Sequence, residues 1–164
     1  MLSEQVHPVD EHLPRGEPRG CILVVSDCRL RNLGHATALT LAGYVVYTAV
    51  TCTDVLRVFE QFSVGHVDLV VLASLVHGWH HQEAEGRPVD IPETTDEHWH
   101  TRNIKQVVET VAARQPTPPT VLVATDLLNY TCYVISADAL AAEGIEFQTY
   151  SAGDPPSIVG FLSR

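Results

Sequence analysis

The chain has 164 residues, 45% of them hydrophobic, and its 20 acidic against 10 basic side chains give a formal charge of −10. That length suits one domain with a single core, and the negative balance repels phosphate backbones and anionic lipid, so a protein or small-molecule partner is favoured over nucleic acid or a membrane surface. The apolar runs are too short for a membrane span and residues 1–19 lack the apolar core of a signal peptide, so a cytoplasmic protein is expected.

Residues 1–19 carry three prolines and little apolar content and read as an irregular leader to a single domain over residues 20–164. Cys21 to Val25 is a β-branched strand ending at Ser26-Asp27, and Leu30, Leu33, Ala36, Leu39 and Leu41 recur behind it at near-helical spacing. Gly43 stops that helix, and Tyr44 to Val50 resumes as a strand. Thr51 or Thr53 caps a second helix with an apolar face of Val55, Leu56, Val58, Phe59 and Phe62. The run from Gly65 to Ser74, with Val67 to Leu72 at its heart, reads as the central strand of a parallel sheet, buried on both faces.

From Val76 to Thr101 the period is lost, and the chain carries five histidines, six carboxylates and both tryptophans. This insertion, at about 76–100, is longer than a structureless connection within a compact domain usually is. Ile104, Val107, Val108, Val111 and Ala112 then mark a helix over roughly 101–114, ended by Pro116, Pro118 and Pro119. Thr120 to Thr125 is a fourth strand, Val134 to Glu143 a fourth helix stopped by Gly144, and Ile145 to Tyr150 a fifth strand. Asp154 caps a last helix with Ile158, Val159, Phe161 and Leu162 on its apolar face. Five strand–helix repeats with short, right-handed connections predict an α/β class, a three-layer α/β/α sandwich of flavodoxin-like kind with strand order 2-1-3-4-5. Cys21, Cys28, Cys52 and Cys132 form no CxxC or metal spacing and are assigned no role.

This order of elements, the Gly43-Tyr44-Val45-Val46 step, the Val67-Asp68-Leu69-Val70-Val71-Leu72 strand and the Ala142-Glu143-Gly144-Ile145 step resemble the receiver domain of bacterial two-component response regulators, over about residues 20–162. Receivers are phosphorylated on an aspartate at the end of the third strand. An acidic pair after the first strand holds Mg²⁺, with a Ser or Thr after the fourth strand and a Lys after the fifth. On that pattern the phosphoacceptor position is Ala73, whose methyl group offers no nucleophilic oxygen. The acidic pair becomes Ser26-Asp27, leaving one carboxylate for the metal. The hydroxyl position falls on Ala124 or Thr125, and the lysine position near Ser151. The resemblance therefore implies a degenerate receiver, or pseudo-receiver: a non-enzymatic, phosphorylation-independent signalling protein that acts by protein–protein contact. It also implies a homodimer through the fourth helix, fifth strand and fifth helix, using Tyr150, Ile158 and Phe161.

The rival readings rest on single features. His77, His80, His81, His98 and His100 bracket the insertion and have the chemistry to ligate Zn²⁺ or another transition metal if the loop folds back, although no cofactor is otherwise expected. A hydrolase needs a nucleophile on a sharp turn after a central strand; Ser74 near His77 is the candidate, without the flanking glycines of such an elbow. The stretch from Asp27 to Gly34 loosely resembles a cobalamin-binding loop, but Arg29 stands where its histidine belongs. A glycine- and hydroxyl-rich phosphate loop of the FMN type is missing after the first strand.

Overall fold

The computed structural model describes residues 18–73, 99–125, 128 and 136–151. In chain order the elements are β1 (Cys21–Val25), α1 (Arg29–Leu41), β2 (Val45–Ala49), α2 (Cys52–Gln61), β3 (Leu69–Leu72), α3 (Trp99–Ala112), β4 (Thr120–Ala124), α4 (Ala137–Ala142) and β5 (Gln148–Tyr150). The strands form one parallel sheet in the order β2-β1-β3-β4-β5, as the strand–helix alternation predicts. Every pairing is parallel, from Cys21 opposite Val45 at one edge to Ala124 opposite Tyr150 at the other.

The strands form because their side chains find cover on both faces. Val70, Val71 and Leu72 of β3 and Leu122 and Val123 of β4 are completely buried, which explains why these segments lack the polar alternation of a half-exposed sheet. Side chains alternate between faces, so the in-register pairing puts Val24, Val71 and Leu122 on one face with Ala73, Ala124 and Tyr150. Tyr150 meets His35 of α1, which places α1 over that face. Tyr47 points the other way and packs on Phe62 at the end of α2. The thiol of Cys52 donates to the Asn103 carbonyl of α3, and Lys105 of α3 pairs with Glu143 beside α4, so α2, α3 and α4 form the opposite layer.

Local signals set most boundaries. Thr51 is the cap of α2: its hydroxyl accepts from the Asp54 amide at 3.0 Å while the Asp54 carboxylate accepts from the Thr51 amide at 3.3 Å, a reciprocal capping box. Gly43 and Gly144, expected as helix stops, both have positive φ, at +102° and +81°. At the amino-terminal end of the sheet, Asp68 accepts from the Cys21 amide, and Gln115 bonds both the amide and the carbonyl of Val67. Arg19, the last residue of the expected leader, is tied to the fold by its amide on the Gly43 carbonyl and by its guanidinium over the Tyr44 ring.

Four expectations need correction. The sequence pattern assigns the leucines of α1 to its core face, but only Leu39 is buried there, beside Asn32 and His35, while Leu30, Leu33 and Leu41 are exposed. Helix α3 begins at Trp99, so His100 belongs to its first turn rather than to the insertion; the apolar period that marks this helix starts only at Ile104. β5 is confined to Gln148–Tyr150, because Ile145 is buried just after the α4 stop, where its amide still bonds the Leu140 carbonyl. Helix α4 starts after Ser136, whose hydroxyl caps it by accepting from the Ala139 amide. The predicted last helix and Cys132 lie outside the described residues. Among the described residues no helix is long and apolar enough to cross a membrane.

Two measurements follow from this packing. Thr51→Ala removes half of the capping box and should lower the unfolding free energy by about 1 kcal/mol, read from urea denaturation. Stability should also fall as pH rises above about 9. Burial pushes the Cys52 thiol from 9.0 up to about 12, and burial together with Asp68 pushes Cys21 up to about 11. The unfolded chain therefore releases these protons first, so stability that is complete below pH 9 is lost towards pH 11–12. The hydrogen bond to Glu143 raises Lys105 as well, which acts in the same direction. A urea midpoint equal at pH 8 and pH 10 would contradict this.

Candidate functional site

The residues expected to form a receiver-type site gather at the carboxyl-terminal ends of the strands, where open parallel sheets carry their ligands. Ser26 and Asp27 follow β1, Ala73 follows β3, Ala124 is the last residue of β4 with Thr125 after it, and Ser151 follows β5. Ser26, Ala73 and Ala124 are completely buried, whereas Thr125 and Ser151 are exposed. The Thr125 amide bonds the Tyr150 carbonyl, so Ala124 lies within the ladder and Thr125 is the first residue beyond it.

What closes this end of the sheet is the first turn and a half of α1. The Ser26 hydroxyl accepts from the Cys28 amide at 2.9 Å, turning the chain from β1 into the helix. Arg31 then reaches across β1 to β3, and its Nη1 donates to the Ala73 carbonyl at 2.6 Å. Asn32 uses its Nδ2 to donate to the carbonyls of Ser26 and Ala49 at 3.1 and 3.2 Å, joining the ends of β1 and β2. Its Oδ1 is buried and finds no donor among the described residues.

One turn further along, His35 is 1% exposed and Tyr150 is 4% exposed. The Arg31 carbonyl lies 3.0 Å from His35 Nδ1, and a carbonyl can only accept, so Nδ1 carries the proton. In the neutral ring Nε2 is then the acceptor for the Tyr150 hydroxyl, 2.8 Å away, with the rings edge-on at 74°. The expected dimer face would place Tyr150 near the surface. It is turned inward, because its position in the register puts it on the face that α1 covers.

Arg31, Asn32 and His35 are the residues that sequence reasoning missed. The available signal was their spacing: Asn32, His35 and Leu39 recur at three and four residues, as a buried helix face does. His77, His80, His81 and His98 lie outside the described residues, as do Ser74, Ile158 and Phe161. Among the described residues no three metal-ligating side chains come together. A cavity of about 210 Å³ lies at the other, amino-terminal end of the sheet, where Ile22, Tyr44, Asp68, Leu69, Thr120 and Leu122 line it.

The sheet order and the helices on both faces define a doubly wound α/β protein, and comparison with solved structures narrows this to the receiver fold. The signal receiver domain of an HD domain-containing protein from Pseudomonas fluorescens Pf-5 superposes with a TM-score of 0.52 at 16% identity, covering 93% of this chain and 90% of that one. A CheY-like response regulator receiver domain from Methylobacillus flagellatus gives 0.49 at 15% identity over 88% and 96%. The likeness to the Pseudomonas domain shows the fold: the chain has the fold of a signal receiver domain. No protein-family model and no curated protein matches the sequence.

Tyr150→Phe tests the buried pair at this end of the sheet. Loss of the hydroxyl that meets His35 should destabilise the protein by about 1–3 kcal/mol in urea, with no change in exposed surface.

Proposed function

We propose that this is a receiver-fold signalling protein of the cytoplasm that works without aspartyl phosphorylation, as a pseudo-receiver, by presenting a fixed surface to a protein partner. The observation that carries the reading is the 2.6 Å hydrogen bond from Arg31 to the Ala73 carbonyl. Where a receiver has a phosphorylatable carboxylate, this chain has a buried methyl group, and a guanidinium that is charged at every working pH sits on the backbone of that same residue. Such a cation disfavours a divalent ion beside it, and Asp27 is the single carboxylate left of the pair that would hold one. The Ser26 hydroxyl is buried and engaged with the Cys28 backbone, which supports a non-enzymatic role for this end of the sheet. The charge of −10 supports a protein partner over nucleic acid or anionic lipid.

Acetyl phosphate with Mg²⁺ should leave the intact mass unchanged, and beryllofluoride should not bind. An added phosphoryl group that hydroxylamine removes would refute the proposal, because that lability marks an acyl phosphate.

A further inference from the structure

We draw no further inference here: the strongest candidate, the cavity at the amino-terminal end of the sheet, carries nothing because the charged groups on its rim are engaged by the fold itself, Arg19 with the Ala42 carbonyl and the Tyr44 ring and Asp68 with the Cys21 amide, and nothing among the described residues points to a ligand for it.

Discussion

The structure depends on one helix crossing the ends of four strands. Through Arg31, Asn32 and His35, α1 ties itself to the segment after β3, to the ends of β1 and β2, and to the last residue of β5. These bonds are made at buried or half-buried positions, where an unmet polar group is costly, so each constrains the placement of the others. β4 is left out of the direct contacts and is held through its ladder with β3 and β5. The polar face of α1 has to turn inward to make these bonds, and three of its four leucines turn outward as a consequence.

This arrangement explains why the strands could be read from the sequence while most of the first helix's leucines were assigned to the wrong side. A strand such as Leu69–Leu72 is apolar on both faces, so its burial can be inferred without knowing its neighbours. The capping box at Thr51 and the stops at Gly43 and Gly144 are equally local, since the bonds and dihedral angles that define them lie within a few residues. For α1 the usual rule that leucines face the core holds only for Leu39. The helix buries an asparagine and a histidine because their partners, the Ala49 carbonyl and Tyr150, are brought to it by other elements. Nothing within thirteen residues of sequence encodes the position of a tyrosine 115 residues away.

The strand-end positions were legible to the same extent. Ala73 follows the third strand directly, so its place at the strand end could be counted off from Leu72. That Ala124 lies inside the ladder and Thr125 beyond it depends on the pairing of β4 with β5, which is a tertiary fact. Arg31 gave no signal of its role, since an arginine in the first turn of a helix ordinarily extends into solvent. The length of its side chain lets it span β1 and reach the third strand, and only the folded sheet sets that distance.

The strand order has one more consequence, for colloidal behaviour. β2 is a sheet edge, and its sequence Val45-Val46-Tyr47-Thr48-Ala49 has no charged residue, no proline and no bulge to discourage pairing with another chain. Val45 and Thr48 are exposed along it. Edge strands of this composition are templates for intermolecular β-pairing, and among the described residues the local protection is limited to the strand's shortness and the helices beside it. What keeps copies apart over longer range is the excess of carboxylates elsewhere in the chain. That repulsion vanishes near the isoelectric point of about 5.2, so mildly acidic solution is where this fold is most exposed to fibrillar aggregation.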